Sequence, residues 1–189
     1  MKKYVILFVI TSFCLSSFSQ TRKERKAQKK AELEINFNET KSLLESKNFV
    51  FKANWAIPLG NDVALIGQNI PGGGAIFQGG RVDVSSNDNF IKLTDGEADV
   101  FMPYFGRVFF PKRNPQENGI EYKGSIDKYQ VEINDKKKSF VVKFSANPSD
   151  DFLRFIVKIS ADGYASVSIN STNRQSITYN GYITPLERD

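Results

Sequence analysis

The chain has 189 residues, 26 Lys and Arg against 21 Asp and Glu, a formal charge of +5, one cysteine and no histidine. Without histidine, Ser–His and Cys–His nucleophile pairs are impossible, and zinc, copper and iron lose their commonest ligand. Carboxylate pairs, a Ser–Lys pair or oxygen-bound calcium remain open, and no cofactor or metal motif is present.

Residues 1–19, "MKKYVILFVITSFCLSSFS", place Lys2 and Lys3 before an apolar run from Tyr4 to Phe13 and end in small residues. This is the pattern of a secretory signal peptide, with cleavage expected between Ser19 and Gln20. A membrane anchor is the alternative, but the apolar run falls short of the roughly 20 residues that span a bilayer. A lipoprotein reading would use Cys14, yet the bulky Phe13 precedes it. Export to the periplasm or the extracellular space is the expected location. With the signal removed no cysteine is left, so ordinary core burial must hold the fold, and about 170 residues suffice for one domain.

The charge is unevenly placed. "RKERKAQKK", residues 22–30, carries six cations against Glu24, a net +5; with Lys2 and Lys3 in the signal, residues 31–189 stand at 5 − 2 − 5 = −2. Residues 20–30 read as the basic, partly ordered start of a helix, with anionic membrane as a candidate peripheral contact. No nucleic-acid motif accompanies them. The helix continues over 31–47 with Leu33, Phe37 and Leu44, and with Ala27 and Thr40, at helical spacing on one face.

From Phe49 the chain becomes short alternating strands divided by turns, within a single β-rich domain spanning 31–189. In "FVFKANWAI" the residues Phe49, Phe51, Ala53, Trp55 and Ile57 share one face. "RVDVS", "NFIKL", "EADVFM", "YQVEI", "SFVVKF", "FLRFIVKIS", "YASVSIN" and "SITYNGYI" follow. Asp95-Gly96 and Asp162-Gly163 mark tight turns. Eight to ten strands with hairpin-length links and no intervening helix point to an antiparallel sandwich or barrel preceded by one helix.

Two stretches invite functional readings. In "DVFMPYFGR", Pro103 ends or bends a strand at an edge and Gly106 opens a conformation closed to other residues. Tyr104, Phe105 and Arg107 then form either a structural corner or an aromatic–arginine patch for a ligand with a ring or acidic group, with Arg107 the foremost ligand contact. "FFPKRNPQENG" continues it as a loop. In "IPGGGAIFQGGR", Gly72, Gly73 and Gly74 form a flexible link or a weak anion nest, but no Walker lysine follows. The acidic groups Asp95, Glu97, Asp99 and Asp150-Asp151 suit turns and solvated faces and match no calcium loop.

The stretch "DNFIKLTDGEADVFMPYFGR", with "GIEYKG" at 119–124, a basic helix and an N-terminal signal, resembles an uncharacterised family of small exported bacterial proteins, a domain of unknown function. The resemblance covers roughly residues 25–185 and implies export and a β-rich fold, with no activity attached. An exported, non-enzymatic binding or accessory protein of the cell envelope is the function expected. Its partner would be a small molecule, lipid or envelope protein. A carboxylate-based hydrolase of glycans and a structural interaction module are the alternatives. The exported chain should begin at Gln20. Intact mass of the protein recovered from cells expressing the whole chain checks this, and a retained Met1 or a lipid on Cys14 overturns it.

Overall fold

The computed structural model describes residues 22–60, 77–110, 119–149 and 151–186. The signal segment and Gly72, Gly73 and Gly74 lie outside them. Among the described residues one helix, α1 (Arg22–Ser46), precedes eleven strands: β1 (Phe49–Pro58), β2 (Phe77–Gln78), β3 (Arg81–Asp83), β4 (Phe90–Thr94), β5 (Glu97–Met102), β6 (Ile120–Ser125), β7 (Asp127–Asn134), β8 (Ser139–Ala146), β9 (Leu153–Ser160), β10 (Tyr164–Ser171) and β11 (Ile177–Pro185). Among the described residues no helix is long and apolar enough to cross a membrane.

All strands pair antiparallel, in the order β6-β5-β4-β1-β11-β10-β9-β8-β7, with β3 added to β1 and β2 to β3. The two outermost strands, β6 and β7, are consecutive in the chain and separated by Ile126 alone. The sheet therefore curls until its ends meet in a nearly closed barrel. Ile126 donates its N–H to Gly96 at the β4–β5 turn (3.0 Å). Lys128, in the left-handed conformation (φ 56°), takes up the irregularity where β7 starts.

Alternation along the strands points one row of side chains inward. Leu153, Phe155, Val157 and Ile159 of β9 face the core, as do Ala165, Val167 and Ile169 of β10. Phe144 and Phe155 stack with centroids 4.5 Å apart, and Tyr129 lies 6.4 Å from Phe144. The Asp95-Gly96 turn has positive φ at both residues (51° and 92°), as a tight hairpin between right-twisted strands requires.

The strand β1 departs from simple alternation. Phe49, Phe51 and Ala53 are buried, but a bulge between Ala53 and Trp55 reverses the faces, so Ala56 and Pro58 point inward while Trp55 and Ile57 are half-buried. The single face expected for Phe49 through Ile57 is thus broken at its middle. Arg81 covers the Trp55 ring at 4.1 Å. At the bulge β1 changes neighbours, from β4 (Phe49–Phe51) to β3 (Trp55–Ala56). The buried Asn89 side chain fills the gap: it accepts from Ala53 N–H (2.6 Å) and donates to the carbonyls of Ala53 (3.1 Å) and Val84 (2.9 Å).

The helix α1 covers one end of the barrel through Phe37, Thr40 and Leu44. Phe37 stacks on Phe140 at 4.7 Å, Thr40 donates to the carbonyl of Ala161 (2.9 Å), and Tyr129 donates to that of Leu44 (2.7 Å). Leu33, expected on this face, is 43% exposed because the barrel rim ends before it.

Opposite the β1 bulge, Gly181 of β11 faces Ala53, and a β-carbon there would press into the Lys52 carbonyl and lie 2.8 Å from the Ala53 Cα. Gly181→Ala must therefore separate two central strands, and it is expected to cost about 1–3 kcal/mol, the range for overpacking. Denaturant melts check this; a loss below about 0.5 kcal/mol would mean the two strands part without cost.

Candidate functional site

The end of the barrel away from α1 is closed by links, and the stretch after β5 is their centre. Met102, the last residue of β5, pairs with Ile120, and Pro103 follows with no N–H to offer a ladder. The expected edge is absent, since β5 is flanked by β4 and β6. The carbonyl of Pro103 accepts from the hydroxyl of Tyr179 (2.6 Å), a fully buried ring on β11. Tyr104 is half-buried, and its hydroxyl lies 2.9 Å from the Arg107 carbonyl and 2.8 Å from that of Gln175. Gly106 is needed for room: a β-carbon there would sit 2.6 Å from the Tyr104 hydroxyl. Its φ is not among the positive ones, so the expected special conformation is replaced by a steric reason.

Residues 107–110 then run beside the β10–β11 link. The carbonyl of Arg107 accepts from Gln175 N–H (2.9 Å), Val108 bridges Arg174, and Phe109 donates its N–H to Asn173 (2.8 Å). The Arg107 main chain holds the corner while its side chain is exposed. Phe105 is half-buried against the core. Phe109 and Phe110, pinned by these backbone bonds, leave their rings 58% and 70% exposed.

The link facing them is ordered by Asp151. Its carboxylate accepts from the hydroxyls of Ser171 (2.7 Å) and Thr172 (2.9 Å), and from the N–H groups of Phe152 (2.8 Å) and Thr172 (3.0 Å). Burial pushes the acid upward, but the bonds from Ser171, Thr172 and the backbone outweigh it, so its pKa lies below the ordinary value. Between the links sits Arg174, 8% exposed, its guanidinium 5.2 Å from the Tyr104 ring centre and its Nη1 donating to the Gly119 carbonyl (2.9 Å). One arginine thus ties the start of β6 to the start of β11.

The hollow enclosed by Phe110, Glu121, Asp151 and Arg174 measures about 30 Å³, room for a single water and little more. Burial raises the Tyr104 hydroxyl despite the nearby Arg174, and burial with the neighbouring Tyr104 raises Tyr179. Both stay neutral donors at physiological pH. Elsewhere, burial pushes Tyr129 up to about 12, while the Ser85 and Ser160 hydroxyls hold Asp83 and Asp162 low. Each of these shifts moves its group away from neutrality, which is unlike an acid or base tuned for proton transfer. Asp99 pairs with Lys123 (3.2 Å), Asp95 bonds Asn48, and Asp150 lies outside the described residues. Among the described residues no group of three or more Asp, Glu, His or Cys side chains stands together to hold a metal.

Of the residues singled out in the sequence, Tyr104, Phe105 and Arg107 come together here. Asp151, expected only at a turn, proves to be the organiser, and Arg174 and Tyr179 carried no signal in sequence. Their partners lie 55 to 76 residues away.

Residues 29–183 match the profile of DUF4251, described as a domain of unknown function. A crystal structure of a DUF4251 family protein from Bacteroides eggerthii DSM 20697 is similar in fold, with a TM-score of 0.55 and 19% identity over 80% of this chain and 88% of that one. No curated protein matches this chain.

Because the folded pKa of Asp151 lies below its unfolded value, its contribution is complete above the ordinary carboxylate pKa of about 3.9 and fades as pH falls through the folded value. Asp151→Asn should cost about 2 kcal/mol at neutral pH. It should also flatten the loss of stability between neutral and strongly acidic pH. Chemical denaturation as a function of pH checks both, and an unchanged acid slope would show that Asp151 does not organise the corner.

Proposed function

We propose, for a chain that belongs to the DUF4251 family of unknown function, an exported, non-enzymatic binding or accessory role in the cell envelope, exercised through the corner at 103–110. The observation that carries this reading is the pair of exposed rings at Phe109 and Phe110, fixed by backbone bonds to Asn173. An exposed aromatic pair on a rigid frame is the kind of anchor that protein interfaces bury.

The size of the partner follows from the hollows. Inside the barrel Phe144 stacks on Phe155, and Phe37 of α1 stacks on Phe140 at one end. The hollow beside Arg174 is far below the several hundred Å³ of a small-molecule pocket. An envelope protein or polymer lying across the corner is therefore favoured over an enclosed small molecule. The hydrolase alternative has less support, since the shifted carboxylates lie low and Asp99 is tied to Lys123. Glycan hydrolysis asks for an acid raised toward neutrality.

Export supplies the setting, through the signal expected at residues 1–19. A photocrosslinking residue placed at Phe110 should give an adduct of defined mass in the envelope of the native cell, whereas the same residue at Lys92, exposed on β4, should give none of that mass. Phe109→Ser with Phe110→Ser should abolish crosslinking from a reporter at Arg107 while stability stays within about 0.5 kcal/mol, as at other exposed sites. The reading fails if Lys92 gives the same adduct as Phe110, or if the double variant crosslinks unchanged.

A further inference from the structure

Among the described residues, the side chains of α1 that are buried all lie in its second half. There Glu34 pairs with Lys138 of the β7–β8 turn (2.8 Å), and Phe37, Thr40 and Leu44 are buried. Every residue from Arg22 to Leu33 is exposed, so about 18 Å of helix, at 1.5 Å per residue, overhangs the barrel at this turn.

The overhang is patterned. At about 100° per residue, Arg22, Lys23, Arg25, Lys26, Lys29 and Lys30 all fall within an arc of about 160°, and Glu24 falls on the opposite side. The arc is centred on the azimuth of Phe37, Thr40 and Leu44, the residues buried against the barrel. The cationic face therefore looks toward the barrel side of the helix and, past the rim, along the outer wall. A flat bilayer meeting that face squarely would collide with the barrel.

The wall is also cationic. Outward on β8 and β9 stand Lys143, Arg154 and Lys158, with Val141 and Ile156 between them. Two open grooves run along it: one of about 330 Å³ beside Val141, Lys158, Tyr164 and Ser166, and one of about 410 Å³ beside Lys128, Lys143, Phe152 and Arg154. Lys143 is paired with Glu132 (2.5 Å), and Asp135 and Asp162 flank the rim. Even so, cations predominate, while the chain from 31 to 189 is net negative. Tyr164 and Tyr182 meet edge to face at 5.4 Å and are 40% and 47% exposed. Exposed rings beside serine hydroxyls and cations present what an acidic sugar uses: an apolar face for its C–H groups, hydroxyl partners and positive charge.

We propose that the overhanging arm of α1 and the outer face of β8–β10 form one surface that binds an anionic polysaccharide. The proposal rests on export for the supply of such a polymer and is independent of the corner at Phe110. It is tested with the full chain from Gln20, using polygalacturonate as probe, neutral dextran and polyphosphate as controls, and vesicles with about 30% phosphatidylglycerol as the membrane comparison.

Polygalacturonate should bind, dextran should not, and the affinity should fall at least about tenfold between low salt and roughly 0.5 M salt, where charges are screened within a few ångströms. Replacing Lys23, Arg25, Lys26, Lys29 and Lys30 by Gln, a good helix former, should weaken binding at least about tenfold with an unchanged melting temperature, since all five side chains are exposed. Arg154→Gln with Lys158→Gln should weaken it on the order of fivefold or more. Tyr164→Ala should weaken polygalacturonate but not polyphosphate. Binding that ignores the wall variant, equal effects of Tyr164→Ala on both polymers, or tighter association with the vesicles than with polygalacturonate would each overturn the assignment. Loss of all binding here would leave the crosslinking result at Phe110 unaffected, so the two readings fail separately.

Discussion

The bend of β1 at Ala53 is the constraint on which the rest of the barrel depends. This strand is central, bonded to β11 along one edge and shared by β4 and β3 along the other. A flat strand cannot serve two neighbours that leave at different angles, so the bulge divides it. Two residues make that division tolerable: Gly181, which lets the β1 backbone approach closely, and Asn89, whose amide pairs the N–H and C=O that no strand reaches. A buried peptide group left without partners would cost about 1–3 kcal/mol. Once β1 bends, the sheet curls toward the meeting of β6 and β7 at Ile126, where the chain itself joins the two edges.

Closure leaves two ends, and they are sealed by different chemistry. At one, α1 supplies apolar burial, with Phe37 on Phe140 and Leu44 fully enclosed. At the other, polar bonds do the sealing: Asp151 orders 171–173, that link orders 107–110, and Arg174 reaches across to Gly119. Buried polar groups carry high stakes, because each partner lost leaves another unsatisfied. The main-chain bonds to Asn173 hold residues 109 and 110 in place with their rings on the surface.

Most of the architecture was legible because period-2 alternation is local. β8, β9 and β10 face as their sequences dictate, and the Asp95-Gly96 turn sits where its dipeptide places it. The failures share a cause. Trp55 and Ile57 turn outward because of a bulge set by Asn89, 34 and 32 residues further on in the chain. Gly106 is explained by the position of a neighbouring hydroxyl, which no dipeptide rule contains. Leu33 fits a helical stripe but lies beyond the rim, and the rim is a property of the barrel. Asp151 and Arg174 read as ordinary link residues because their partners are brought to them only by closure. For the candidate site, Tyr104, Phe105 and Arg107 could be grouped from sequence, but not which atom of Arg107 matters. The carbonyl holds the corner; the side chain points outward.

Charge and shape together give the molecule a direction. The strands between the ends are eight or nine residues long in β8–β11, which separates the end that carries the α1 arm from the aromatic corner by about 25 Å. A core without disulfides needs its interior fully packed, so neither surface could be moved inward without opening a cavity costly to stability. The cations on α1 contribute nothing to that core, and the exposed rings at 109 and 110 contribute little. The cations of the arm and the exposed rings are side chains that the fold does not require; they stand at opposite ends of the barrel, and the wall of Lys158, Lys143 and Arg154 runs between them and reaches the corner beside Asp151. On that geometry, the charged rim would hold an extended anionic polymer by many weak, salt-sensitive contacts. The corner would hold its partner by a small apolar patch pinned by main-chain bonds to Asn173, at the far end of the strands that carry the wall.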